Sequence, residues 1–110
     1  MVNVEKVSMI AMEIITYAGL AKSCYLEALT MFKHGEYKAS KGKMEQGDDS
    51  FTKAHSTHLQ ILQDEMTLQD PQITLLLTHA EDQLMGAETV KTVVQECIDL
   101  YRELREVYNE

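Results

Sequence analysis

Residues that interrupt helices are scarce in this sequence. Its 110 residues include five glycines, no tryptophan and a single proline, Pro71. Aliphatic residues, methionine, alanine, glutamate, lysine and glutamine dominate, and most of these are strong helix formers. The composition therefore argues against a β-sheet protein and predicts an all-α fold. At this length, residues 1–110 are expected to form a single domain with a real but modest core.

Positive charge is also in short supply. Ten lysines and arginines face eighteen aspartates and glutamates, which gives a formal net charge of −8. Nucleic acids and anionic lipid surfaces are bound by basic faces, so this balance argues against both as partners. Residues 1–6 contain no basic segment followed by an apolar run, and no stretch is expected to reach the length of a transmembrane helix. We therefore predict a soluble, cytoplasmic protein with no direct membrane insertion.

The chain has only two cysteines, Cys24 and Cys97. They are far apart in sequence, and neither belongs to a CxxC pair or to a zinc-type pattern of cysteine and histidine. The favoured interpretation is two buried thiols in a reducing cytosol, with a disulfide between them as the alternative.

The first predicted helix runs from Val4 to Phe32, where apolar residues recur at steps of three and four. Asn3 is a suitable N-cap for this helix. The segment Lys33-His34-Gly35 then supplies basic residues followed by glycine, which is typical of a helix C-terminus.

Two further helices are predicted, from about Tyr37 to Leu68 and from about Pro71 to Tyr108. The first half of the second helix has a weak apolar pattern, so a kink or local fraying is expected near Gly42 or Gly47. The third helix is expected to begin at Pro71, because proline is well tolerated in the first turn. Three long helices with short connections predict an up-down-up bundle.

Polar chemistry concentrates in the stretch Leu75–Met85, where His79, Asp82 and Gln83 interrupt an apolar run. Residues three and four apart share a helix face, so these three side chains are expected to lie together. They lie at the edge of the apolar face of this helix. That face covers more of the helix circumference than packing in a three-helix core requires. The extra apolar positions suggest contact with a second helix surface, and they include Leu75, Val93, Leu100 and Val107.

The residues alone leave the roles of these side chains open. His79 is either a hydrogen-bonded core histidine or a nucleophile and proton carrier, because imidazole is largely neutral near pH 7. Asp82 is either exposed at the helix edge or, if buried, paired or bound to a metal ion. His55 and His58 are predicted on the core-facing side of the second helix. A metal site formed by them with His79 is a weaker alternative, since the chain has no Glu-x-x-His motif.

At His79-Ala80-Glu81-Asp82-Gln83-Leu84-Met85 the sequence resembles the lactose/cellobiose-type enzyme IIA component of the bacterial sugar phosphotransferase system. The family pattern there is close to His-Ala-Gln-Asp-His-Leu-Met. The resemblance extends over nearly the whole chain. Its other segments are Tyr17-Ala18-Gly19-Leu20-Ala21-Lys22, Glu27-Ala28-Leu29, His34-Gly35-Glu36-Tyr37, Ala54-His55 and Leu75-Leu76-Leu77.

This resemblance implies a three-helix bundle that assembles as a homotrimer. It implies that His79 accepts a phosphoryl group from the histidine-containing phosphocarrier protein and passes it to a cysteine of the cognate enzyme IIB. The sugar imported would be a disaccharide of the lactose, cellobiose or chitobiose type. The resemblance also places Asp82 at the trimer axis, where three carboxylates would repel one another and can share a divalent cation such as Mg²⁺.

Two positions depart from the family pattern. Gln83 stands where the family usually has a second histidine, and His58 stands where it commonly has glutamine. Gln83 can donate a hydrogen bond to a phosphate, but it cannot supply a positive charge or exchange a proton. The resemblance therefore implies a phosphocarrier in which His79 is the only nucleophile. The competing hypotheses are a helical adaptor without enzymatic activity and, more weakly, a helical metal protein.

Overall fold

The computed structural model describes residues 4–68 and 74–108 as a bundle of three long helices. They are α1 (Val4–Lys33), α2 (Tyr37–Leu68) and α3 (Leu75–Tyr108). All regular secondary structure within the described residues is helical. The end of α3 contacts the end of α1, so α1 and α3 run parallel while α2 runs antiparallel to both. The predicted all-α, up-down-up architecture is confirmed.

Helix α1 is the centre of the bundle, and α2 and α3 each pack along it. Four fully buried alanines let the neighbouring helices approach α1 closely, while α2 and α3 make few contacts with each other. On α3 the buried side chains recur at helical spacing and form one stripe. The buried residues of α1 are Val7, Ala11, Ile14, Ala18, Ala21, Cys24, Tyr25, Ala28 and Phe32, and those of α3 are Leu77, Ala80, Leu84, Ala87, Val94 and Ile98.

The C-terminus of α1 is a local turn built around Gly35. The Gly35 amide donates to the carbonyl of Phe32 at 3.1 Å, and the Glu36 amide donates to the carbonyl of Met31 at 2.9 Å. These two bonds form a Schellman motif, which requires a left-handed residue at Gly35. The φ angle of Gly35 is +81°, a conformation that glycine adopts without a steric penalty. The predicted helix end is confirmed.

The N-terminus of α3 is capped by Thr74, whose hydroxyl accepts a hydrogen bond from the amide of Leu77 at 3.0 Å. A threonine in this position satisfies one of the free amides of the first turn. The described part of α3 begins at Leu75. The predicted start at Pro71 lies outside the described residues, as does the predicted cap at Asn3.

Helix α2 runs unbroken through Gly42 and Gly47, so the predicted local fraying is wrong. Gly47 is buried, and a Cβ atom added there would lie 2.6 Å from Cε1 of Tyr25. This glycine is therefore a point of close approach between α2 and α1. The apolar pattern is weak here because the residue that packs against the ring of Tyr25 is a glycine, and this does not make the helix unstable.

Tyr25, Asp48 and Lys91 connect all three helices. The Tyr25 hydroxyl donates to Oδ1 of Asp48 at 2.7 Å, and Nζ of Lys91 lies 2.8 Å from the same oxygen. Burial raises the pKa of Tyr25 above its usual value, and the hydrogen bond and negative charge of Asp48 raise this pKa further. The neutral phenol is therefore the form that the folded state stabilises.

Replacing Tyr25 by phenylalanine is expected to lower the free energy of unfolding by about 1–2 kcal/mol at pH 7, because the bond to Asp48 is lost. The raised pKa of Tyr25 means that its contribution is fully present below about pH 10, the unfolded pKa of tyrosine, and is lost at higher pH. Urea denaturation of both proteins should show a difference that shrinks above about pH 10. Equal stability at pH 7 would contradict a stabilising role for this bond.

At the other end of the bundle, Arg105 of α3 covers the C-terminus of α1. Its guanidinium donates to the carbonyls of Phe32 at 2.9 Å and Lys33 at 2.7 Å, and it also contacts the hydroxyl of Tyr37. The last carbonyls of a helix lack partners within it and carry partial negative charge. Arg105 supplies both a hydrogen-bond partner and a positive charge at this position.

Both cysteines are free thiols, with Cys24 buried and Cys97 half-buried. The disulfide that the sequence left as an alternative is therefore absent from this structure. Helix α1 corrects another expectation, because the segment Glu5–Lys33 is long and apolar enough to span a membrane by length and composition. A core helix passes the same test, and the apolar side of α1 is buried in the bundle.

Candidate functional site

The three predicted site residues lie on one side of α3 near its N-terminus. His79 and Asp82 are exposed, and Gln83 is half-buried. The neighbouring residues Ala80 and Leu84 are buried in the core, which fixes the rotation of this part of α3. The interpretation of His79 as a core histidine is therefore wrong. Its imidazole is exposed to solvent in the single chain.

An exposed apolar stripe runs along α3 on both sides of Asp82. The wide apolar arc seen in the sequence is confirmed, because the core does not use these side chains. Their exposed fractions are 87% for Leu75, 54% for Val93, 56% for Leu100 and 69% for Val107. Asp82 follows Leu75 by seven residues, and Val93, Leu100 and Val107 continue the neighbouring heptad row of His79, so Asp82 lies beside this stripe.

The histidines of α2 take different positions from those predicted. His55 is exposed and stacks on the ring of Phe51, with 6.0 Å between the ring centroids. The expectation that it faces the core is wrong, since Ala54 and Ile61 are the buried residues of this half of α2. His58 is half-buried and meets α3, where its Nε2 lies 3.2 Å from Oε1 of Glu81.

The histidines do not converge. His58 is paired with Glu81, on the flank of α3 that meets α2, whereas His79 is exposed. Among residues 4–68 and 74–108, no three histidine, cysteine, aspartate or glutamate side chains are grouped so that they could hold a metal ion. A single copy of the chain therefore offers no metal site in its described part.

A groove of about 650 Å³ opens between α2 and α3 at the far end of the bundle. Its lining on α3 begins at Gln95, which is sixteen residues and about 24 Å along the helix from His79. The groove is thus separate from the histidine face. His79 lies on an outer surface that suits contact with a protein.

Two residues near the motif make contacts that the sequence pattern does not predict. Glu81 pairs with His58 and connects α3 to α2 beside the motif. Lys22 reaches from α1 to α3, with its Nζ 3.8 Å from the position that a Cβ of Gly86 would occupy. No spacing rule within one helix could predict either contact, because both join different helices.

The sequence matches the family model for the lactose/cellobiose-specific IIA subunit of the phosphotransferase system over residues 9–102. It is 32% identical over 102 residues to the lichenan-specific phosphotransferase enzyme IIA component of Bacillus subtilis (strain 168), which covers 93% of each chain. The fold is similar to the crystal structure of the cellobiose-specific enzyme IIA of Bacillus anthracis, with a TM-score of 0.86 and 32% identity, covering 96% of this chain and 94% of that chain.

A further similar structure is the IIA(Chitobiose)–HPr complex of the N,N'-diacetylchitobiose branch of the Escherichia coli phosphotransferase system. Here the TM-score is 0.72 and the identity 25%, covering 90% of this chain and 96% of that chain. The bundle described above is thus the fold of a phosphotransferase-system component. Within that system, the chain belongs to the lactose/cellobiose-specific IIA family. It is accordingly a phosphotransferase component.

Proposed function

We propose that this protein carries a phosphoryl group on His79 during import of a sugar of the lactose, cellobiose or chitobiose type. HPr, the histidine-containing phosphocarrier protein, is the proposed donor, and a cysteine of the cognate enzyme IIB is the proposed acceptor. The proposal rests on the exposure of His79 on α3. The chain's membership of the IIA family gives that exposed histidine its proposed role. The similarity to a IIA protein in complex with HPr supports the choice of donor. The location proposed for the carrier is the cytoplasm, where it would exchange the phosphoryl group with these two proteins.

The chemistry needs only one neutral imidazole nitrogen. That nitrogen of His79 attacks the phosphorus, a new N–P bond forms, and the bond to the donor nitrogen breaks with its electron pair returning to the donor. In the second transfer the cysteine thiolate attacks, an S–P bond forms, and the imidazole of His79 leaves. Both steps require a partner to approach closely, which an exposed side chain on an outer helix face allows.

Gln83 is the proposed helper of His79. It lies four residues further along α3, on the same helix face as His79, and is half-buried. A neutral amide can donate a hydrogen bond to a phosphoryl oxygen, and such a donor stabilises charge that develops during transfer. This role requires no proton exchange by Gln83.

The exposed stripe of α3 is the proposed trimer interface. Leu75, Val93, Leu100 and Val107 remain exposed in the single chain, and apolar rows of this kind are buried when helices of several copies associate. Asp82 would then meet its two symmetry mates. Each chain contributes one carboxylate at this position, that of Asp82. Three of them would supply oxygen ligands suited to a divalent cation such as Mg²⁺, so the residues fit such an ion only in the assembly.

Replacing Asp82 by asparagine is expected to leave a trimer at least as stable as the original, because repulsion among three carboxylates is removed. Asp82→Leu should also retain the trimer, since an apolar group can replace a buried charge at little or no cost. Light scattering at micromolar concentration would give the mass of each protein. A monomer mass for the unchanged protein would contradict the assembly, and loss of the trimer in both variants would show that Asp82 makes an essential pairing.

Phosphate transfer distinguishes a carrier from a helical adaptor. The purified protein would be incubated with phosphoenolpyruvate and the general phosphotransferase proteins, including HPr. A carrier gains one acid-labile phosphoryl group and then loses it to enzyme IIB. An adaptor gains none, and that outcome would refute the proposed function.

A further inference from the structure

The groove between α2 and α3 exists because both helices pack along α1 and make few contacts with each other. On the α2 side, Ser40 is buried and its hydroxyl donates to the carbonyl of Ala28 at 2.7 Å, which holds this part of α2 close to α1. On the α3 side, Arg105 donates to the carbonyls of Phe32 and Lys33 and holds the end of α3 against the end of α1. These contacts leave α2 and α3 apart at this end of the bundle, with a groove of about 650 Å³ between them.

The lining of the groove is largely apolar. Phe32 and Ile98 belong to the core, and Met44 is half-buried and packs against it. The ring of Tyr37 lies 4.8 Å from that of Phe32, measured between the ring centroids. Small-molecule sites are typically clefts of about 300–1,000 Å³ with mostly apolar walls and a few polar groups that orient the ligand. The groove has the volume and the walls of such a site.

The polar groups of the groove are mainly cationic. Among the described residues that line it, one is acidic and three are basic, namely Glu106 and then Lys41, Arg102 and Arg105. Lys41 and Arg102 are exposed. Asp99 accepts a hydrogen bond from one of the five N–H groups of Arg102, at 3.1 Å, and a guanidinium can bind an anion through the others. The groove is thus basic in a chain whose formal net charge is −8, and it matches a ligand with an anionic group.

The groove lies on the side of α3 opposite to the exposed apolar stripe. Residues two positions apart on a helix differ in direction by about 200°. Arg102 is therefore almost opposite to Leu100, and Arg105 is almost opposite to Val107. Contact between copies through the stripe does not use the side of α3 that lines the groove. The groove also begins about 24 Å along α3 from His79, so a ligand in it would not contact the imidazole.

We propose that this groove binds a small amphipathic anion. Its apolar body lies against Phe32, Met44 and Ile98, and its carboxylate or sulfonate meets Lys41 and Arg102. An unmodified sugar fits poorly, because its hydroxyl groups need many hydrogen-bond partners and the lining is mostly apolar. The ligand is therefore neither the imported sugar nor a participant in phosphoryl transfer, and the inference does not depend on the proposed function.

Binding of anilinonaphthalene sulfonate, an aromatic sulfonate whose fluorescence rises in apolar surroundings, tests the proposal. We expect saturable binding to the folded protein at one site per chain, with a Kd of about 10–100 µM, which is ordinary for a ligand of this size. Replacing Lys41 and Arg102 together by glutamine should raise that Kd about threefold to tenfold, because two exposed ion pairs are lost. Lys38→Gln removes the same charge from an exposed residue of α2 that does not line the groove, and it should leave the Kd unchanged.

Two further measurements define where the probe binds and what the site recognises. In methyl NMR spectra, the signals of Ile98 and Met44 should shift during the titration, whereas those of Val93 and Leu100 on the stripe should not. Decanoate should displace the probe at a lower concentration than decanol, its uncharged counterpart. Inorganic phosphate should not displace it, because it has no apolar body.

Each of the opposite results would overturn the proposal. Shifts confined to Val93 and Leu100 would place the probe on the stripe, and absence of saturable binding would show that the groove holds no such ligand in the assembled protein. An unchanged Kd in the Lys41→Gln/Arg102→Gln variant would show that the anionic group is not recognised. Displacement by phosphate would indicate an anion site without apolar selectivity. Phosphoryl acceptance by His79 is measured separately, so a failure here and a failure of the proposed function are distinguishable.

Discussion

Replacement of His79 by alanine is expected to abolish phosphate acceptance completely. No other imidazole takes its place, because His58 is paired with Glu81 and His55 is stacked on Phe51 on a different helix. The variant should keep its helicity and assembly mass, since the His79 side chain is exposed and supports no core contact. Incubation with phosphoenolpyruvate, HPr and the enzyme that phosphorylates HPr, followed by intact-mass measurement, would reveal any bound phosphoryl group.

Two variants serve as controls for this experiment. His34 is also exposed, but it lies in the turn after α1, so His34→Ala should accept phosphate as fully as the unchanged protein. Gln83→Ala should accept phosphate more slowly, because a helper is removed and the nucleophile is retained. Phosphate incorporation by a folded His79→Ala variant would contradict the assignment of His79 as acceptor.

Replacing Gly47 by alanine is expected to destabilise the bundle by about 1–3 kcal/mol, the usual range for overpacking a well-filled core. The new methyl group would lie 2.6 Å from Cε1 of Tyr25 and 3.2 Å from Cβ of Cys24. The Tyr25 ring cannot move away freely, because its hydroxyl is hydrogen-bonded to Asp48. Urea denaturation at one fixed protein concentration would measure the loss, and a fixed concentration matters for an oligomer.

Gly42 offers a matched control within the same helix. No atom lies within 4 Å of a Cβ added there, and only Gly35 among the described glycines has a positive φ. Gly42→Ala should therefore stabilise the protein by about 0.5–1 kcal/mol through the reduced freedom of the unfolded chain. If Gly47→Ala were equally stabilising, the close approach of α2 to Tyr25 would not limit the size of residue 47.

The parts of this fold that local chemistry determines were predictable from the sequence. Gly35 ends α1 because the left-handed turn involves only neighbouring residues. The rotation of α3 followed from its heptad rows, which separate the buried Ala80 and Ala87 from the exposed Val93 and Leu100. The same rows placed His79 at the edge of the apolar arc, which made its accessibility a reasonable expectation.

The rotation of α2 and the contacts between different helices could not be predicted from the sequence pattern. Among the α2 residues whose burial the structure describes, the buried apolar ones are Ala54 and Ile61. Two such positions give little information about the rotation of α2, and the predicted core-facing position of His55 is therefore wrong. The importance of Gly47 depends on Tyr25, which lies 22 residues earlier on another helix. The contact of Lys22 with α3 likewise depends on the separation of two helices, which no one-dimensional pattern contains.

The hydrogen bond from Arg105 to the end of α1 has a consequence for folding during synthesis. The guanidinium donates to the carbonyl of Phe32, 73 residues earlier, so α1 and α2 are synthesised before this partner exists. The turn at Gly35 can form at once, because its bonds are local. The side of α1 that packs against α3 stays uncovered throughout that interval. The nascent hairpin of α1 and α2 is therefore the stage of biosynthesis at which this protein is most open to aggregation or to capture by a chaperone.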